Sequence, residues 1–230
     1  MSFDFNTIHL LFPTPVVSYK IHDSERLNME LLKEIDARQA SELGIKRSNR
    51  LGWHSESDFF QRKEPAHNTI ARAIRDAAVN ATKRITGNPK ELEKGRLTLT
   101  GWVNVNPTGG HNAPHDHPGS FWSGCYYVSM PKPDEEEGRP SAISFIDHRS
   151  APAGQPLVKA PYLNGSMPMR PEEGTLLLFP STAKHWVEPN MAKTSRVTVA
   201  LNAFVFGGLP PHVQQAQKEA AEKAAKDPEK

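Results

Sequence analysis

Five short runs between residues 96 and 206 constrain this chain more than anything else in it. They are RLTLTGWVNV (96–105), SGCYYVSM (123–130), SAISFID (141–147), GTLLLFP (174–180) and SRVTVALNAFVF (195–206), separated by Pro and Gly clusters. Each has the length and the β-branched or alternating make-up of a strand. So many strands in so short a stretch bury their apolar faces only by stacking as two sheets or closing into a barrel. The N-terminal part reads differently. Residues 8–20 suggest an edge strand broken by Pro13 and Pro15. A helix is expected over 24–43, with Leu27, Leu31 and Ile35 on one face and Asp23 and Ser24 able to cap it. SNRLGWHSESDFF (48–60) reads as a loop. A second helix over 65–86 carries the stripe Ile70, Ile74, Ala78, Ala81 and Ile85 and stops at Gly87 and Pro89. The expected fold is mostly β with flanking helices: a single domain over 1–210, with a helical front (1–95) packed on one sheet of a strand core (96–207). Residues 211–230, rich in Ala, Lys and Glu, read as a charged tail.

Charge narrows the partners. Lys and Arg number 28 against 26 Asp and Glu, a net charge of +2, which offers no footprint for nucleic acid. The lone Cys125 rules out a disulfide within the chain, and no run approaches a membrane span. With no basic, apolar leader at the N-terminus, a cytoplasmic protein is expected. Oligomeric state stays open.

The chemistry-bearing stretch is HNAPHDHPG (111–119). In an extended segment His115 and His117 share a face and Asp116 points away. Two imidazoles on one face begin a metal site, and a polar loop is the plainer alternative. A third ligand must come from elsewhere, and His185, just past LLLFP, is the candidate. Arg196 follows 11 positions later, on a strand whose Val197, Val199, Leu201 and Ala203 face must be buried. Arg196, Thr198, Ala200 and Asn202 then point into the core. An inward guanidinium needs an anion, and a small dicarboxylate would supply one through a bidentate contact.

Those residues resemble the iron(II)- and 2-oxoglutarate-dependent oxygenases, with HxH where HxD is usual, a distal His, and an Arg followed by x-Thr. LFPTPV, SNRLGWHS, WVNV, H-x-H-P, SGCYYV, FIDHR, LLLFPSTAKHWVEP and RVTVALN are similar to a little-characterised bacterial and phage branch of them, over most of residues 10–206. The resemblance implies a double-stranded β-helix, a jelly-roll or cupin-like barrel. It implies iron(II) and 2-oxoglutarate as cofactors, and O2 and an unidentified prime substrate as partners. The implied reaction is hydroxylation of a C–H bond with release of succinate and CO2. It also implies that Arg196, assisted by Tyr127, Thr198 and Asn104, holds the 2-oxoglutarate.

His115, His117 and His185 are the expected metal ligands, although a local twist would let Asp116 serve instead of His117. Strand parity puts Ser123, Cys125 and Tyr127 on one face, and Asn202, Ser123, Cys125, Trp122 and Asp116 are candidates for substrate contact or for support of the ligands. Tyr127 reads equally well as a core aromatic. Trp53, Trp122 and Trp186 either frame the pocket mouth or simply pack. Cys125 reads as a small buried hydrophobe and His54 as an exposed loop residue. Asp147 and Arg149 read as a turn with a local ion pair. Segments 48–60, 131–140 and 148–170 are candidate lids. The rival functions are a cupin-like metal enzyme that does not use 2-oxoglutarate, which would have no need of Arg196, and a non-catalytic barrel that binds a small acid. An HxHxD zinc hydrolase is disfavoured because position 119 is glycine.

Overall fold

The computed structural model describes residues 5–87, 89–132, 141–149, 160 and 163–207. Two antiparallel sheets form the core. The elements, in order, are β1 (Val17–Lys20), α1 (Ser24–Ser41), β2 (Asn49–Arg50), β3 (Trp53–His54), a 3-10 turn (Phe59–Gln61), α2 (Pro65–Ile85), α3 (Pro89–Leu92), β4 (Arg96–Asn106), β5 (His111–His115), β6 (Trp122–Ser129), β7 (Ile143–Ile146), β8 (Ser166–Met169), β9 (Thr175–Pro180), β10 (His185–Val187) and β11 (Arg196–Phe206). The larger sheet runs β1-β9-β6-β11-β4-β3 and the smaller β2-β5-β10-β7-β8. This is the jelly-roll arrangement expected, but the sheets share no strand among the described residues, so the barrel is open rather than closed. Much of 131–140 and 148–170, and all of 211–230, lies outside the described residues.

The helices cover the outer face of the larger sheet. Leu31 and Ile35 of α1 and Ile70, Ile74, Ala78 and Ala81 of α2 are fully buried, in one cluster with Val197, Val199, Leu201 and Ala203 of β11. Strand parity therefore does what the pattern required: one face of β11 goes to the helices and the other to the space between the sheets. β6 alternates likewise. Tyr126 points outward and donates its hydroxyl to Asn28 Oδ1 of α1 at 2.6 Å, while Cys125 and Tyr127 join the inner cluster with Leu177 and Phe179. Gly124 is required for packing. A Cβ there would lie 2.6 Å from the Leu177 carbonyl oxygen.

Several local expectations are corrected. α1 ends at Ser41, and Asp23 lies in the left-handed region (φ 52°) without a side-chain cap. Ile85 falls at the frayed end of its stripe and is 43% exposed. The 48–60 stretch is not a free loop or lid. Its residues 49–54 strap the two sheets together, β2 pairing with β5 and β3 with β4. The strap fits because position 52 is glycine: a Cβ would meet the Val105 carbonyl oxygen at 2.9 Å. His54 is consequently buried, stacked on Trp102 at 5.4 Å between centroids. Arg149 and Asp147 pair as expected.

Candidate metal centre

Two strands of the smaller sheet bring the distant histidines together. His185 opens β10 and is directly opposite His115, the last residue of β5. His117 lies beyond the end of β5, its backbone N–H donating to Ser181 O at 2.9 Å. The ring centroids of His115 and His185 are 4.5 Å apart, those of His115 and His117 4.9 Å, and those of His117 and His185 5.4 Å. One ligand atom from each ring lies within 4.8 Å of the others; metal–imidazole bonds of about 2.1 Å span at most about 4.2 Å, so a modest closing of the rings brings all three onto one ion. Asp116 is exposed and outside this group, as alternation predicted.

The local hydrogen bonds suit metal binding. His115 Nδ1 lies 2.6 Å from Ala113 O and His185 Nδ1 2.8 Å from Ala183 O. A proton on Nδ1 satisfies each carbonyl and leaves Nε2 with a free lone pair. Burial pushes His185 down to about 3, and burial with the neighbouring His115 pushes His117 down to about 4. Burial also lowers His115. All three are therefore neutral near neutrality, the form a metal requires. Phe179 packs edge-on against His185 at 4.8 Å.

The histidines open onto a narrow cavity whose lining also includes Trp102, Asn104, Arg196 and Thr198. Arg196 is 1% exposed. Its guanidinium contacts Thr198 Oγ1 at 3.2 Å, Cys125 Sγ at 3.9 Å and the ring of Tyr127 at 5.2 Å. No carboxylate lines the cavity among the described residues, and Arg196 Nε, the Tyr127 hydroxyl and Asn104 Oδ1 are buried without partners. Of these, Arg196 Nε and the Tyr127 hydroxyl are donors, and buried donors left unpaired beside a guanidinium fit an acidic ligand. The inward face of β11 and β4 thus gathers Arg196, Thr198, Asn104 and Asn202, with Ser123 hydrogen-bonded to Asn202.

Other candidates sit elsewhere. Trp122 is turned toward the helices, donating Nε1–H to Thr82 Oγ1 at 2.9 Å. Trp53 donates to the Glu42 carbonyl of the α1 terminus at 3.0 Å. Ser48 and Asn112 were missed by sequence reasoning, yet they line the cavity and hydrogen-bond to each other at 3.3 Å. Only the β2–β5 pairing reveals them, and a two-residue strand leaves no periodic signal.

Residues 100–202 match the sequence profile of a family described as "Putative 2OG-Fe(II) oxygenase". No curated protein matches the chain. Among solved structures, a prolyl-4-hydroxylase from Pseudomonas putida superposes with a TM-score of 0.57 at 14% identity, covering 85% of this chain and 93% of that one. A prolyl hydroxylase from Trichoplax adhaerens, solved with a hypoxia inducible factor peptide, gives 0.57 at 15% identity, covering 82% and 83%. HygX from Streptomyces hygroscopicus, solved with nickel and 2-oxoglutarate bound, gives 0.54 at 9% identity, covering 83% of each chain. The matched segment holds the three histidines and Arg196, and the folds agree around it. The likeness of residues 100–202 to that profile, with the three histidines and Arg196 inside the match, points to an enzyme with iron(II) and 2-oxoglutarate as its cofactors.

Proposed function

We propose that the protein is a dioxygenase that hydroxylates a C–H bond of its prime substrate. One atom of O2 goes to the new hydroxyl and the other to succinate, formed as 2-oxoglutarate loses CO2. Iron(II), when bound, supplies the redox chemistry with O2. His115, His117 and His185 hold the metal through Nε2. Arg196 takes the distal carboxylate of 2-oxoglutarate, with the hydroxyls of Thr198 and Tyr127 donating to the same group and Asn104 lining its path. Burial of Arg196 makes that contact strong: a bidentate guanidinium–carboxylate pair away from bulk water is both tight and selective for a diacid. The prime substrate reaches the metal over the open half of the inward face, past Trp102.

One observation carries this reading. A fully buried arginine with an unpaired Nε shares a cavity with three neutral histidines. A metal enzyme that did not use an acidic co-substrate would have no reason to bury it there. The test is anaerobic mixing of protein, iron(II) and 2-oxoglutarate, read by absorption, followed by air and measurement of succinate. Arg196→Ala should weaken 2-oxoglutarate binding at least about tenfold while metal binding persists. Equal 2-oxoglutarate affinity in that variant would overturn the assignment. Likewise, His117→Ala should cost metal and Asp116→Ala should not.

A further inference from the structure

The three histidines are not held alike. His115 and His185 use the same device, an Nδ1 contact to the carbonyl two residues back along their own chain. His117 has no such carbonyl. Its Nδ1 instead faces the Nδ2 amino group of Asn202, at 3.5 Å, reaching across from β11 of the opposite sheet. Asn202 is itself held by the hydroxyl of Ser123, 2.8 Å away on the directly paired position of β6.

We propose that Asn202, braced by Ser123, sets the tautomer of His117 and is the positioning residue that makes this third imidazole available to the metal. The inference builds on the reading of His117 as a ligand. A primary amide has two faces. With its NH2 toward His117, it donates to Nδ1 and leaves the ring proton on Nε2, which blocks Nε2 as a ligand. With its carbonyl toward His117, it accepts the Nδ1 proton and bares Nε2. A serine hydroxyl donates or accepts, so Ser123 satisfies Asn202 in either orientation. The pair is thus a hydrogen-bonded support: a half-turn of the amide from its NH2-inward orientation brings the carbonyl to Nδ1 and fixes the tautomer that bares Nε2. Trp102 completes the setting. Its ring lies 5.8 Å from His117 and is backed by the stacked ring of His54, limiting how far the imidazole can tilt.

The test uses the full chain without metal, then cobalt(II) as the probe. Long-range 1H–15N spectra read the His117 tautomer, and cobalt(II) absorption reads affinity. Asn202→Ala and Asn202→Leu should each weaken cobalt(II) binding about 10–100-fold and change the tautomer population of His117. Asn202→Asp, an acceptor only, should hold the proton on Nδ1 and retain binding. Ser123→Ala should show a smaller loss in the same direction. Wild-type affinity together with an unchanged His117 tautomer in Asn202→Ala would overturn the proposal, provided circular dichroism shows that variant folded. If His117→Ala itself binds cobalt(II) normally, the ligand assignment fails instead, and the two failures are told apart.

Discussion

Three neutral imidazoles leave a divalent ion with its whole charge uncompensated, whereas a carboxylate in the third position would remove part of it. On the proposed reading the compensating charge arrives with 2-oxoglutarate, a dianion whose distal end Arg196 would meet. Metal and co-substrate should therefore bind cooperatively, and reciprocally, each tightening the other by the same factor. We expect cobalt(II) to bind at least about tenfold more tightly when 2-oxoglutarate is present, measured by calorimetry under anaerobic conditions. His117→Asp should shrink that factor by strengthening the metal site alone. Equal cobalt(II) affinity with and without the diacid would contradict this electrostatic account. At this scale much of the site is legible in the chain itself. Alternation along RVTVALN turns Arg196 inward, and alternation through HDH separates Asp116 from its neighbours. The Asn202–Ser123 support is not legible, because it depends on the register between β6 and β11, which no local pattern specifies.

Among the elements, α1 is joined to the larger sheet by a polar contact as well as by packing. Asn28 is buried, donating Nδ2–H to Val128 O at 2.9 Å and accepting from the Tyr126 hydroxyl. Asn28→Ala would strand both partners against an apolar wall, at a cost of roughly 1–3 kcal/mol for each group left unpaired. Chemical denaturation should show that loss, while cobalt(II) affinity of the folded fraction stays unchanged because the contact lies on the far side of the sheet from the histidines. Asn28→Leu should cost less if apolar packing replaces the hydrogen bonds. A denaturation midpoint unchanged in Asn28→Ala would make the contact incidental. The long elements here were readable: α2 from its stripe, β4, β6, β9 and β11 from their runs. The short ones were not. β2, β3 and β10 have two or three residues each, too few for any periodicity, and it is these that close the strap and deliver His54 and His185.

For the molecule as a whole, the fold holds five histidines in their neutral form, three of them at the candidate metal centre. His54, His67, His115, His117 and His185 all have their protonation disfavoured chiefly by burial. The unfolded chain binds protons at the ordinary histidine value of about 6.5, and the folded chain only below that, near 4 for His117 and near 3 for His185. The unfolded state thus holds more protons throughout that window, and stability rises with pH across it. The metal-free protein should be at full strength above about pH 6.5 and weaken steadily below it, each buried histidine contributing at most about 1.4 kcal/mol per pH unit. The carboxylates that ion pairing holds low, Glu64 and Asp147, both near 2, add their losses at more acid pH, as pH falls from the ordinary carboxylate range toward 2. Urea midpoints measured at about pH 7 and about pH 5 therefore isolate the histidines. Cobalt(II) should raise the midpoint at the higher pH by mass action and progressively fail to do so as protons compete for the same Nε2 lone pairs. A midpoint that is flat between the two pH values would mean that these rings are not held neutral by the fold, and the ready-made metal centre would lose its physical basis.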